Sequence, residues 1–120
     1  MADHTPAKAI YATVTCVTQR NPDGALRQKL IKECHVGDRL QLVRDPGHPI
    51  DPHAVRVCRT SGEQIGCLRK ETTAEVGPRI DAGMRFETEI VRLSRSSRLP
   101  KRPRGVKVLI RWFPAEDQDG

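Results

Sequence analysis

The stretch that decides the fold runs from residue 42 to residue 57 and reads LVRDPGHPIDPHAVRV. Its two ends are strand-like, because apolar and polar residues alternate there with the period of two of an extended chain. The middle holds three prolines, at positions 46, 49 and 52, which fix φ and cannot donate backbone hydrogen bonds. The stretch therefore predicts two strands joined by a loop that is stiff as well as polar, and that either turns the chain or grips a ligand.

The segments on both sides of this loop extend the β pattern, and two of them are typical of short helices. In chain order we predict a strand (9–19), a helix (25–34), a strand within 35–45, a hairpin (54–70) turning at Ser61 and Gly62, a helix ending near Asp81, and two strands (84–95 and 106–113). The order β-α-β-β-β-α-β-β predicts a mostly β protein with two short helices (α+β), folded as a small barrel or half-barrel.

Three local features of the second half refine this prediction. Thr72 or Thr73 is expected to cap the second helix, because a hydroxyl can accept a hydrogen bond from a free backbone amide. Pro78 is expected to break that helix. Gly66, in the middle of a predicted strand, indicates a bulge or the close approach of another backbone.

Charge is unevenly distributed along the 120 residues. The chain carries +6 overall, but residues 85–111 alone hold nine basic side chains against Glu87 and Glu89, which makes that segment +7 and the remainder −1. A concentrated positive segment attracts polyanions such as nucleic acids. The alternative is a solvated basic loop, over residues 95–105, that binds nothing specific.

Several function classes find no support in the sequence. It has no phosphate-binding loop, no nucleophile elbow and no HExxH motif, so we expect neither an enzyme nor a cofactor. No apolar run approaches the ~20 residues of a membrane span, and the N-terminus lacks a secretory pattern, which together predict a cytoplasmic protein. The four cysteines (Cys16, Cys34, Cys58 and Cys67) are expected to be free thiols, with a zinc site the less favoured alternative because their spacing fits no standard pattern.

The two segments LVRDPGHPIDPHAVRV (42–57) and GEQIGCLRKETTAEVGPRIDAG (62–83) closely resemble the HIRAN domain family. The matching positions are Leu42, Arg44, Pro46, Pro49, Asp51, Ala54, Val57, Gly62, Ile65, Gly66, Leu68, Glu71, Pro78, Asp81 and Gly83. The resemblance extends over roughly residues 10–112 and implies an OB-like barrel decorated by two helices. It predicts one domain (9–113), preceded by a disordered N-terminus (1–8) and followed by a disordered acidic tail (114–120).

The resemblance also implies a function. HIRAN domains occur alone in bacteria or fused to remodelling ATPases and nucleases, and the best understood fused member captures the 3′ hydroxyl end of single-stranded DNA at stalled replication forks. By position, Asp51 matches the residue that receives the hydroxyl, and Lys70 matches a lysine that binds phosphate. A carboxylate suits this role, because it repels internal phosphates but accepts a hydrogen bond from a free hydroxyl. We therefore expect single-stranded DNA as the partner, in DNA repair or replication-fork processing.

Other positions of the family pattern carry different residues here. Ile50 stands in place of a base-stacking tyrosine, Cys67 in place of Tyr or His, and His53 in place of Asn, while Arg20 stands near a first-strand aromatic. Stacking is worth ~1–3 kcal/mol per base, so phosphate contacts must supply more of the affinity. The further candidates for nucleic-acid contact are Arg44, Arg69, Arg98, Lys101, Arg102 and Arg104.

Two alternatives stay open. Asp51 can instead tie the loop by accepting hydrogen bonds from backbone amides, with Arg44 as its partner. The domain can instead be a protein-interaction or adaptor domain that has lost end-specific DNA binding. Under either function we expect a monomer, and the expected protein partner is a helicase, a nuclease or another DNA-processing protein.

Overall fold

The computed structural model describes residues 8–94 and 103–113. Most of the predicted disordered N-terminus, most of the basic loop and the predicted acidic tail lie outside the described residues. This includes Arg98, Lys101 and Arg102.

The order of the elements confirms the predicted β-α-β-β-β-α-β-β arrangement and the mostly β fold with two helices. The elements are β1 (Lys8–Thr13), α1 (Arg27–Lys32), β2 (Arg39–Arg44), β3 (Val55–Arg59), β4 (Gln64–Cys67), α2 (Lys70–Asp81), β5 (Arg85–Ser94) and β6 (Gly105–Phe113). Neither described helix is long and apolar enough to cross a membrane.

The six strands form one antiparallel sheet in the order β1-β6-β5-β2-β3-β4. The sheet curls until its two edges meet. Thr15, just beyond β1, exchanges both backbone hydrogen bonds with Cys67 at the end of β4, at 2.8 and 2.9 Å. We call this contact the seam. It closes the sheet into a half-barrel, as the predicted strand pattern requires.

Gly66 makes the seam possible. A Cβ atom at this position would lie 2.5 Å from the carbonyl oxygen of Thr15 and would also collide with the side chain of Val14. The register between β3 and β4 shifts beside it, between Val57 and Cys58. The prediction of a bulge or a close backbone approach at Gly66 is therefore confirmed.

The core fills the inside of the curl. In β6 every second residue is buried, namely Val106, Val108, Ile110 and Trp112, because alternate side chains of a strand point to one face. The Trp112 ring packs 5.8 Å from the ring of Phe86, centroid to centroid. The few aromatic residues of the chain thus leave most of the core to Val, Ile and Leu, as the composition indicates.

The first strand is shorter than predicted. β1 ends at Thr13, although β-branched residues continue to position 18. Thr15 bonds to β4 instead of β6, and Cys16 adopts a φ of +60°, which interrupts an extended chain. At the other end, Lys8 is not part of a disordered N-terminus but the first residue of β1, paired opposite Trp112.

The first helix is also shorter than the predicted 25–34. The amides of Glu33 and Cys34 bond to the carbonyls of Leu30 and Ile31, three residues back. These tighter bonds end α1 at Lys32.

The second helix differs from its prediction at both its start and its middle. It begins at Lys70, before Thr72 and Thr73, and no side chain caps it. Pro78 lies inside a continuous helix and does not break it. The proline removes one hydrogen bond, but burial of Thr73 and Val76 on the same helix offsets that loss, since packing supplies most helix stability.

Candidate nucleic-acid interface

The loop between β2 and β3, residues 45–54, is closed by its own backbone. The amide of Asp45 donates to the carbonyl of Ala54 at 2.9 Å, the amide of His48 to Asp45 at 3.1 Å, and the amide of Ala54 to Asp51 at 3.1 Å. Three of the ten loop residues are prolines, so these bonds and the fixed proline φ angles hold one shape. The structure therefore gives the stiffness that the sequence predicts.

Side chains complete the loop. The Nδ1 atom of His48 accepts hydrogen bonds from the amides of Ile50 and Asp51, at 3.1 and 3.0 Å. The carboxylate of Asp51 accepts one from the amide of His53, at 2.9 Å, which forms a turn of the Asx type. Within the described residues, one carboxylate oxygen of Asp51 accepts this bond. The loop-tying role that was the alternative for Asp51 is therefore present.

Ile50 and His53 occupy the outside of this loop. The side chain of Ile50 is 87% exposed, and His53 is exposed as well. Ile50 thus offers a free apolar surface beside Asp51, but no π face on which a base can stack.

Arg44 is not the partner of Asp51. Its guanidinium forms two hydrogen bonds with the carboxylate of Asp81, at 2.9 and 3.1 Å, and donates to the carbonyls of His53 and Ala54. It therefore clamps the end of the loop to the last turn of α2. Because its charge is paired, we interpret Arg44 as a positioning residue for the loop.

Replacing Arg44 with leucine should release this clamp. We expect a loss of about 1–2 kcal/mol in the free energy of unfolding, because a two-pronged, partly buried ion pair and two carbonyl contacts disappear. Urea denaturation of the Arg44→Leu variant measures the loss. The Arg39→Leu variant is the control, since Arg39 has an exposed side chain, pairs with Glu87 at a longer 3.5 Å and should lose less. Equal losses in the two variants would contradict the clamp.

A cleft of about 480 Å³ opens beside the loop. Its walls come from three parts of the chain: the segment between β1 and α1, the start of the β2–β3 loop, and the β3–β4 hairpin. The residues that carry its polar chemistry are Cys16, Gln19, Asn21, Asp23, Arg27, Asp45, His48, Arg56, Glu63, Gln64 and Cys67. We call it the Arg27 cleft, after its most unusual member.

Arg27 is a buried cation with neutral partners. Arg27 is only 6% exposed. Its guanidinium donates hydrogen bonds to the Oδ1 atom of Asn21 (2.7 Å), the carbonyl of Cys16 (2.9 Å) and the Oε1 atom of Gln19 (3.3 Å). Among the described residues, no carboxylate lies within ion-pairing distance of it. A guanidinium removed from water without a counter-ion favours the binding of an anion.

The other arginine of the cleft is different. Arg56 lies 3.0 Å from the carboxylate of Asp45, and its hydrogen bond with Asp45 is the main reason that the pKa of Arg56 is raised. Its charge is thus largely neutralised. The two arginines show that the unpaired state of Arg27 is not a general property of this cleft.

The sequence prediction missed Arg27, although a signal was present. Arg27, Leu30, Ile31 and Cys34 follow the i, i+3, i+4, i+7 spacing of one helix face, and all four are buried. A charged residue on the apolar face of a helix indicates either a structural tie or a binding site. Gln19 and Arg56 also line the cleft, but no sequence pattern marked either of them as a candidate site residue.

The predicted site residues fall into separate places. Cys67 lies in the Arg27 cleft. Arg20 is exposed and donates to the carbonyl of Gly24 at 2.7 Å, so it turns towards its own loop. Arg69 and Lys70 are exposed at the start of α2 and form no ion pair with any described residue.

Arg104 belongs to the described end of the basic loop, residues 103–105, which we call the stem. The stem is fixed to α1. The amide of Arg104 donates to Gln28 at 2.7 Å, and the side chain of Gln28 donates to the carbonyls of Arg104 and Val17 at 3.1 and 3.0 Å. Arg104 is thus held against α1, the helix that also carries Arg27.

The same four cysteines are free thiols. Within residues 8–94 and 103–113, no three His, Cys, Asp or Glu side chains come close enough together to hold a metal ion.

Several solved structures are similar to this chain. The HIRAN domain of human HLTF has a similar structure, with a TM-score of 0.64 at 17% identity over 92% of this chain and 80% of that chain. An NMR structure of the same domain gives 0.51 at 17% identity, over 92% and 84%. A protein from Lactobacillus plantarum gives 0.67 at 16% identity, over 89% of this chain and 98% of that one.

These low identities show a shared fold and nothing more. No curated protein sequence matches the chain significantly. The family model of the HIRAN domain, however, matches residues 12–113, which is most of the chain. The protein belongs to the HIRAN domain family.

Proposed function

We propose that this protein is a nucleic-acid-binding module that takes single-stranded DNA, with the 3′ hydroxyl end held near Asp51. The observation that carries the proposal is the guanidinium of Arg27, which is buried with neutral partners and has no carboxylate partner in the described part of the chain, in a cleft beside the Asp51 loop. Family membership supports nucleic-acid binding as the general function.

The distribution of paired and unpaired charges supports the same ligand. On β5 and β6, Arg85 and Arg111 pair with Glu87 and Glu89, at 2.8 Å each. Towards the basic loop, the cations of the same two strands and of the stem (Arg92, Arg104 and Lys107) form no ion pair with a described residue. Positive charge is therefore free at the end of the sheet from which the basic loop leaves, and a phosphate backbone can displace its counter-ions there.

The proposed division of labour follows from chemistry. Arg27 and the basic stem contact phosphates, which gives affinity but no preference for an end of the strand. Asp51 gives the preference, because its carboxylate accepts a hydrogen bond from a free 3′ hydroxyl and repels a 3′ phosphate. The stiff loop holds the carboxylate in place before binding, so little further ordering is required.

The test is the Asp51→Asn variant. The amide oxygen of asparagine can still accept the hydrogen bond from His53, so the loop keeps its turn, but the negative charge is lost. We expect the preference for a 3′ hydroxyl over a 3′ phosphate to fall by about tenfold, mainly because the phosphorylated strand binds better. Fluorescence anisotropy with the two labelled strands, at two salt concentrations, measures it.

Three outcomes separate the possibilities. The Asp51→Ala variant loses both the charge and the turn, so a larger effect than that of Asp51→Asn reports the structural share. Equal affinity of the wild-type protein for both strands, with a steep salt dependence, would contradict end capture and leave electrostatic binding. The absence of binding at low salt would contradict the nucleic-acid function altogether.

One observation favours a second candidate function, an adaptor that binds protein. Ile50 is almost fully exposed at the tip of a rigid loop, where an apolar side chain is well placed for a protein contact. A protein that fails to bind DNA at low salt would support this candidate.

A further inference from the structure

Two of the four cysteines meet at the seam of the half-barrel. Cys67 is the last residue of β4, and two backbone hydrogen bonds join it to Thr15. Cys16 follows Thr15 directly in the chain. Thr15 and Cys67, which are joined in this way, have Cα atoms about 5.5 Å apart. The thiol of the following residue, Cys16, lies within hydrogen-bonding reach of the Cys67 thiol, and a disulfide requires such a close approach of the two side chains.

The backbone turns the two side chains towards each other. Cys16 has a φ of +60°, and it is the sole residue other than glycine with a positive φ in residues 8–94 and 103–113. Its thiol lies against that of Cys67. Burial and this neighbouring thiol together raise the pKa of Cys67 to about 11.

The pair is accessible, whereas the other two cysteines are not. Cys16 and Cys67 are half-buried and line the Arg27 cleft. Cys34 and Cys58 are buried, and burial raises the pKa of both thiols. A small oxidant that enters the cleft therefore meets Cys16 and Cys67 first.

We propose that Cys16 and Cys67 form a reversible modification site, a dithiol that oxidises to an intramolecular disulfide across the seam. The reaction partner is a small disulfide such as oxidised glutathione. The disulfide would fix the edge strand β4 to the segment that follows β1. This proposal does not depend on the proposed DNA function.

The exchange with oxidised glutathione has two steps. The Cys16 thiolate attacks one sulfur of oxidised glutathione, whose S–S bond breaks, and the first glutathione leaves as a thiolate that takes up a proton. The sulfur of Cys67, after losing its proton, then attacks the Cys16 sulfur and releases the second glutathione. Two protein thiols become one disulfide while one glutathione disulfide becomes two thiols. Cys67 acts second, because burial raises its pKa and makes its thiolate scarcer.

Peptide mapping of the native wild-type protein tests the proposal. The reduced protein is treated with oxidised glutathione at neutral pH, free thiols are alkylated, and tryptic peptides are analysed by mass spectrometry. We expect a cross-linked peptide containing Cys16 and Cys67, with Cys34 and Cys58 alkylated. We also expect the melting temperature to rise by roughly 5–10 °C and to return on reduction with dithiothreitol.

Variants supply the control. Cys58→Ser should keep the cross-link, and Cys16→Ser should abolish both the cross-link and the rise in melting temperature. Mapping of the wild-type protein remains decisive if a variant does not fold. A glutathione adduct on Cys16 without a cross-link, equal loss of all four thiols, or a cross-link between other cysteines would overturn the proposal.

Discussion

The Gly66→Ala variant should lose about 3 kcal/mol of its free energy of unfolding. The new Cβ would lie 2.5 Å from the Thr15 carbonyl oxygen and would also overlap the side chain of Val14. Real Cβ atoms do not approach a carbonyl so closely, so either the seam opens or the core around Val14 shifts. Forcing an extra carbon into a packed site costs about 1–3 kcal/mol, and the rigid backbone here places the effect at the upper end.

Urea denaturation and thermal melting measure this effect. A loss of about 3 kcal/mol corresponds to a fall of more than 10 °C in the melting temperature of a domain of this size. Gly47→Ala is the matched control, because no atom lies within 4 Å of a Cβ at Gly47 and its φ is not positive. A Gly66→Ala variant as stable as the Gly47→Ala variant would show that the seam is not a close backbone contact in solution.

The Arg27→Gln variant should bind single-stranded DNA about 10- to 100-fold more weakly. Glutamine can keep part of the hydrogen bonding to Asn21 and Gln19, but the positive charge in the cleft is lost. A hydrogen bond to a charged group contributes about 1.5–3 kcal/mol, which corresponds to this range of affinity. In a plot of the logarithm of affinity against the logarithm of salt concentration, the size of the slope should also fall by about one, because one phosphate contact is lost.

Two variants show whether the effect is specific. Arg39→Gln removes the same charge from β2, where Arg39 faces Glu87 at 3.5 Å, and should change the affinity about threefold or less. Arg27→Lys keeps the charge without the fork of donors, and should fall between the wild-type protein and Arg27→Gln. Melting curves establish that each variant is folded. Equal losses of affinity in Arg27→Gln and Arg39→Gln would contradict a specific contact between Arg27 and DNA, because net charge alone would then explain the weaker binding.

The candidate site was only partly predictable, for reasons that differ from residue to residue. The Asp51 loop was predictable because proline and Asx chemistry act within a few residues. The partner of Arg44 was not, because Asp81 lies on a helix 37 residues further along the chain. Pro78 was wrongly predicted to break α2, since local propensity does not include the packing of the helix against the sheet.

The sequence by itself determined the order of the elements and the stiffness of the 45–54 loop, and its motifs indicated the family by resemblance. The first two properties follow from alternation, proline and short-range hydrogen bonds, which act between near neighbours. Only the tertiary structure decided that Arg27 is buried with neutral partners, that Cys16 meets Cys67, and that Gly66 has no room for a side chain. Each of these depends on the curl of the sheet, which brings the residues after β1 against β4, and distance along the chain does not reveal that contact.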